Sequence, residues 1–187
     1  IEKLSRYQSA GGGFSYWPGM NNIHDWASSY AGHFLLLAKD HGYDVPQKMM
    51  NAWSANQSRA ARAWTTGMQK EQAYRLFTLV LSGKGEIGAM NRFRQRSDLD
   101  NLSRWLLAAA YQLAGQQAAA TTLAATANAS MANYSITDNS FGSTLRDEAM
   151  MLMSLLVLDD AQQAAAIAEK ISMALVNQNR YYSTQTT

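Results

Sequence analysis

Cysteine is absent from all 187 residues. Disulfides, a thiolate nucleophile and cysteine-ligated zinc are therefore excluded within the chain, while the compartment is left open. Charge is sparse as well, with 16% charged residues against 47% hydrophobic ones, a balance that argues against disorder and for one folded, soluble domain. The longest apolar runs, at residues 31–38 and 150–158, fall well short of the roughly 20 residues that cross a bilayer. Nothing at Ile1 resembles a signal peptide. A net charge of +2 with no long basic run lacks the electrostatic footprint of a nucleic-acid binder. Arg92, Arg94 and Arg96 are the only local basic cluster and read as a solvated helix end.

What the chain does have is a glycine-aromatic segment, Gly11-Gly12-Gly13-Phe14-Ser15-Tyr16-Trp17-Pro18-Gly19, running into His24-Asp25-Trp26-Ala27-Ser28-Ser29-Tyr30-Ala31. Glycines permit close backbone approach, and three large rings stand where a turn meets a helix, so the segment is expected to be a packing corner. Beyond it the hydrophobic period is helical almost everywhere. Trp26, Ala27, Tyr30, Ala31, Phe34, Leu37 and Ala38 are expected on one buried stripe, with Gly42 closing the helix. Pro46 opens a second helix toward Ala63. A third carries Tyr74, Phe77 and Leu79, and a short one runs from Glu86 to about Arg94. Asp98 or Asp100 caps a strong helix with Trp105 and Tyr111 that Gly115 ends, and residues 116–128 are expected to be helical. Residues 129–143 read as an irregular stretch with a turn at Asp138-Asn139-Ser140. Thr144 is expected to cap an interior helix, apolar nearly all round, and Asp159-Asp160 to start a more exposed one. The whole reads as all-α, with about seven or eight alternating buried and half-exposed antiparallel helices. Ile1 begins inside amphipathic sequence and Ser183-Thr184-Gln185 looks like a helix start, so a fragment of a longer polypeptide is expected.

Candidate site residues each have a plainer reading. His24 and His33 are nine positions apart, about 180° around a helix, and cannot share a metal, while His41 suits a helix C-terminus. No metal site is expected. Asp25, Asp138, Asp147 and Glu148 are candidate carboxylates for a toroidal glycosidase, with Asp25 facing Asp147 or Glu148, but those three sit in first helical turns where acids complement the helix dipole. Arg146 beside Asp147 suggests a structural ion pair. Trp17, Trp26, Trp53, Trp64 and Trp105 are expected mainly in the core, and the methionines at 49–50 and 150–153 as gap-fillers.

Taken together, Tyr7-Gln8, Gly12-Gly13-Phe14-Ser15-Tyr16-Trp17, Trp26-Ala27-Ser28-Ser29-Tyr30-Ala31, Gly42-Tyr43-Asp44-Val45-Pro46, Ser143-Thr144-Leu145-Arg146-Asp147-Glu148-Ala149 and Tyr182-Ser183-Thr184-Gln185-Thr186-Thr187 resemble the thioester-containing domain of the alpha-2-macroglobulin and complement family, particularly its bacterial branch. The resemblance spans essentially the whole chain and makes Gly12, Gly13, Phe14, Tyr16, Trp17, Trp26, Tyr30, Arg146 and Asp147 its structural signature. It implies part of an alpha/alpha toroid of inner and outer helices, residues 1–187 forming one incomplete domain. It further implies a non-enzymatic role in a protease inhibitor that traps attacking proteases, in the periplasm as a lipoprotein tethered to the inner membrane. Partners would be the other macroglobulin domains of the same polypeptide and the target protease, with no cofactor. The family's reactive bond joins the cysteine and glutamine of a Cys-x-Glu-Gln motif; without cysteine this chain cannot hold it. The alternatives are a carbohydrate-active hydrolase on the same toroid and a helical-repeat interaction module.

Overall fold

The computed structural model of the chain describes residues 1–128 and 142–177. Among them the regular structure is helical: α1 (Glu2–Ser5), α2 (Asp25–Asp40), α3 (Gln47–Ala63), α4 (Gln69–Leu81), α5 (Ile87–Arg94), α6 (Asn101–Leu113), α7 (Gln117–Ala124), α8 (Thr144–Val157) and α9 (Ala161–Asn177). Extended backbone pairs only at an isolated bridge between Gln8 and Phe14 among the described residues. The single turn α1 adds one helix to the expected number, being too short to show a period. The turn expected at Asp138-Asn139-Ser140 and the segments at Ser183-Thr184-Gln185 and Tyr182 to Thr187 lie outside the described residues.

Most helix ends follow local chemistry. Gly42 and Gly115, with φ of +80° and +73°, take the left-handed conformation just beyond α2 and α6. Of the two acids that could start α6, Asp100 does so, its side chain accepting the Ser103 N–H at 2.8 Å. At α8 the cap is one residue earlier than expected: Ser143 Oγ accepts the Arg146 N–H at 3.1 Å, and Thr144 is already helical. Both can cap, and the extended backbone of Ser143 settles which. Helix α7 stops at Ala124, short of Asn128.

The chain divides into two compact units, Ile1–Leu99 and Asp100–Thr187. In the first, α2 packs on α3 and α4, and α3 on α4 and α5. Helix α4 is its most enclosed element, buried continuously from Gln72 to Leu79. Phe14, Leu35, Met49, Met50 and Trp53 form an apolar cluster between the glycine-rich corner, α2 and α3. In the second unit α6 receives α7 and α8, and α9 packs on α8. Here α6, and not α8 as expected, is the helix buried nearly all round, from Trp105 through Tyr111. Helix α8 buries Met150, Met151, Ser154 and Leu155 on one side and leaves Leu156 exposed, so it is half-interior.

Candidate functional site: the glycine-aromatic corner and its carboxylates

The corner is a backbone-bonded turn pressed onto α3. Ser9 N–H donates to the Gly13 carbonyl at 2.8 Å, Gly12 N–H to Ser9 at 2.9 Å, and Ser15 N–H to Tyr7 at 2.9 Å. Gly12 sits at φ +91°, and a Cβ there would lie 2.1 Å from the Ala52 carbonyl oxygen on α3, so only glycine fits. Side chains fasten the turn: Gln8 Nε2 donates to the Gly12 and Met49 carbonyls at 3.0 Å each, and Asn56 Nδ2 and Arg59 Nη2 both reach the Gly11 carbonyl at 3.0 Å. Gly13 brings the backbone against Ile23 and Asn56. Phe14 is buried, and its N–H donates to Ser28 Oγ of α2 at 2.8 Å. The corner, the start of α2 and α3 are thereby one bonded assembly.

Only one of the three rings expected to pack there does so. Tyr16 is exposed and lies against the His24 imidazole, ring centroids 4.2 Å apart, and Trp17 is 71% exposed. Ser15 Oγ donates to the Trp17 carbonyl at 2.6 Å and the Gly19 N–H to Arg6 at 3.0 Å, so the turn points outward by construction. The expected buried stripe of α2 is also rotated. Tyr30 is 66% exposed, and Phe34 and Leu37 are about half exposed, whereas Trp26, Ser28, Ser29, Ala31, Gly32, Leu35 and Ala38 face inward. The cause is Trp53. Its indole is pressed against Gly32, where an added Cβ would stand 2.0 Å from the ring, and its Nε1 donates to the Ser28 carbonyl at 2.8 Å. Small residues face the ring because nothing larger fits. Trp26 is buried on Tyr74 of α4 at 5.1 Å, Trp53 and Trp105 are buried, and Trp64 is only partly so.

Asp25, Asp147 and Glu148 each have their own cation, and Asp138 lies outside the described residues. Asp25 Oδ1 stands 2.8 Å from Arg75 Nη2, an ion pair by distance that is not aligned as a hydrogen bond. Arg75 side chain is 1% exposed against 47% for Asp25, and its Nη1 donates to Gln72 Oε1 at 2.6 Å. Gln72 in turn donates to the Ala61 carbonyl at 3.1 Å, and Ser29 Oγ to Gln57 Oε1 at 3.2 Å. This buried polar seam between α2, α3 and α4 is not legible in the sequence, since an arginine on an amphipathic helix reads as surface. Glu71 borders it; burial, and then the Asp25 charge, push its carboxyl up against a smaller opposing pull from Arg75. In the second unit Arg146 Nη2 and Nε reach Asp147 Oδ1 at 2.8 and 3.1 Å, and Lys170 Nζ on α9 stands 2.6 Å from Glu148 Oε1. Asp25 belongs to one unit and the Asp147-Glu148 pair to the other.

The histidines serve the scaffold. His24 caps α2, its Nδ1 accepting the Ala27 N–H at 3.4 Å; His33 Nδ1 is 2.9 Å from the Tyr74 hydroxyl; His41 is the C-terminal residue flanking α2. Burial lowers the imidazoles of both His24 and His33, with Asp25 opposing it at His24. Among the described residues no three His, Asp or Glu side chains converge on a possible metal position, and no helix is long and apolar enough to cross a membrane. In the basic cluster Arg96 pairs with Asp98 at 2.7 Å and Arg92 donates to the Arg62 carbonyl at 2.9 Å.

These observations define a class: an all-α fold of the helical toroid type in which Asp25, Asp147 and Glu148 each stand beside a cation. Solved structures that share this fold include bacterial alpha-2-macroglobulins. Native Escherichia coli alpha-2-macroglobulin spanning domain MG7 to the C-terminus matches 99% of the chain at a TM-score of 0.84 and 23% identity, over 31% of its own length. Escherichia coli alpha-2-macroglobulin activated by porcine elastase matches 99% at 0.82 and 22% identity, over 18% of its length. Salmonella alpha-2-macroglobulin reacted with methylamine matches 98% at 0.79 and 25% identity, over 13% of its length. The chain therefore spans less than a third of each of these proteins. No protein-family model and no curated protein matches the sequence.

Proposed function

We propose that these residues are a scaffold portion of an alpha-2-macroglobulin-type protease trap, part of one toroid domain and without enzymatic activity of its own. The observation that carries the reading is the likeness in fold over 98–99% of the chain. Two of the similar proteins are described as activated by proteases, porcine elastase and trypsin, which makes a protease the natural target class. The remaining macroglobulin domains of the same polypeptide are its constant partners, and envelope defence from a periplasmic, lipid-anchored position is the setting. Any thioester must use a cysteine outside these residues, since none lies within them. The glycosidase reading is disfavoured by the private cation beside each of Asp25, Asp147 and Glu148, and the helical-repeat reading by the toroid-type likeness.

The test uses the natural polypeptide that carries these residues. After exposure to trypsin or elastase, a trap retains the protease and suppresses its cleavage of a large protein substrate, while a small peptide substrate is still hydrolysed. Equal inhibition toward both substrates, or no retention of protease, overturns the proposal. Incorporation of labelled methylamine, abolished by a Cys→Ala change in the parent, separates covalent from steric trapping.

A further inference from the structure

Helix α2 is held by two imidazoles on opposite sides. At its start His24 accepts the Ala27 N–H through Nδ1, which requires that nitrogen to be unprotonated. The same residue receives the corner: its N–H donates to the Phe14 carbonyl at 2.9 Å, and its carbonyl accepts the Ser28 N–H at 2.9 Å. Two turns on, His33 meets the Tyr74 hydroxyl and lies against the Tyr74 and Phe77 rings of α4 at 5.8 and 6.1 Å. We infer that α2 and the corner it anchors form an acid-sensitive fastening, closed when His24 and His33 are neutral and loosened when they take up protons.

Protonation acts on both sites in one direction. At His24 it converts the cap's acceptor into a donor and puts positive charge where the helix dipole is already positive. At His33 it puts a charge on a part-buried imidazole against α4, a desolvation cost that the Tyr74 and Phe77 rings offset only in part. Two groups oppose this at His24: Asp25 beside it at the start of α2, engaged by Arg75 of α4, and Tyr16, whose ring can receive an imidazolium. Burial outweighs the Asp25 attraction at His24 and is the one influence resolved at His33. Because both native imidazoles titrate below the ordinary value of 6.5, the stabilisation is fully present above that pH and is lost as pH falls through the native values. Glu71, raised in the fold, works in the opposite sense: its contribution is present at acid pH and lost as pH rises.

The measurement is hydrogen exchange by mass spectrometry on the natural full-length polypeptide, from about pH 7.5 to about pH 5.5, where imidazoles titrate, corrected for intrinsic exchange. Peptides of α2 should lose protection several-fold across this range while peptides of α6 hold theirs. His24→Asn keeps a capping oxygen and His33→Gln keeps a partner for Tyr74, so the double variant should flatten the α2 profile. Glu71→Gln, which removes the opposing group, should steepen it. An α2 profile that is flat in the natural protein, that moves in step with α6, or that survives in a folded double variant overturns the inference. If the double variant loses α6 protection too, the single variants decide, each being required to lessen the slope. None of these outcomes depends on protease trapping, so this inference and the proposed function can fail separately.

Discussion

The two units bury charge in opposite ways. In residues 1–99 the cation is inside: Arg75 is wholly enclosed and its anion, Asp25, is half in water. In the second unit the anions are inside: Asp147 and Glu148 are enclosed by α8 and its neighbours, while Arg146 is part-exposed and Lys170 lies 56% exposed on α9. The units also close their helices differently, α2 and α3 through Gly32 against the Trp53 ring and α6 through the buried run Ala108-Ala109-Ala110. In each unit the enclosed charge bears the desolvation cost and its more exposed partner decides whether that cost is offset. The close approach has likewise been made with no side chain in one case and with methyl groups in the other.

The largest effects should come from that close approach, whose two sides are Gly32 and Trp53. Gly32→Ala puts a methyl group into a fully buried indole that cannot move without losing its bond to Ser28. We expect a loss of about 3 kcal/mol or more by denaturant midpoint. The counterpart, Ala109→Gly in α6, removes a methyl group from a site with room for it and should cost about 1–2 kcal/mol, from helix propensity and a small void. Equal costs would mean that the two units are packed with the same tolerance.

Next comes the charge asymmetry. Asp25→Asn strands the enclosed Arg75 guanidinium and should cost about 2 kcal/mol, below the 3–5 typical of fully buried pairs because Asp25 is half solvated. Arg75→Met removes the enclosed charge itself and should cost less, although Gln72 loses a donor. In the second unit Lys170→Met strands Glu148, and Glu148→Gln should be milder by the same logic. If removing the enclosed member proves worse in either unit, that pair stabilises the fold outright and the distinction fails there.

The sequence makes some of this visible and hides the rest for a physical reason. Helix positions were legible because caps and breakers act locally: Pro46, Asp100, Gly42 and Gly115 mark ends that the fold keeps. The face of α2 was not, because hydropathy weights Tyr30, Phe34 and Leu37 heavily and gives Ser28, Ser29 and Gly32 no weight, although their smallness lets Trp53 approach. Arg75 was hidden similarly, since its burial depends on Asp25 arriving from α2, a separate place in the chain, while Gln72 one turn away on α4 would suit a surface arginine as well. The corner's backbone chemistry could be read from its glycines, but which of its rings turned inward depended on bonds from Ser15 and Gly19 to Trp17 and Arg6.

A smaller effect tests the shifted cap of α8. Ser143→Ala should cost about 1 kcal/mol, whereas Thr144→Ala should be nearly neutral. The reverse order would place the helix start one residue later, and with it the first-turn position of Asp147.

The smallest effect concerns the rings that face outward. Trp17→Ser and Tyr30→Ser remove large apolar side chains from positions 71% and 66% exposed, so each should change stability by no more than about 0.5 kcal/mol. Trp53→Ala, at a wholly buried ring of the same type as Trp17, should cost about 3–5 kcal/mol. The contrast is measurable in one series of denaturant midpoints on the same chain. A loss at Trp17 or Tyr30 approaching that at Trp53 would show that the ring is covered in solution, and the outward face of the corner and of α2 would then have to be counted with the core of the first unit.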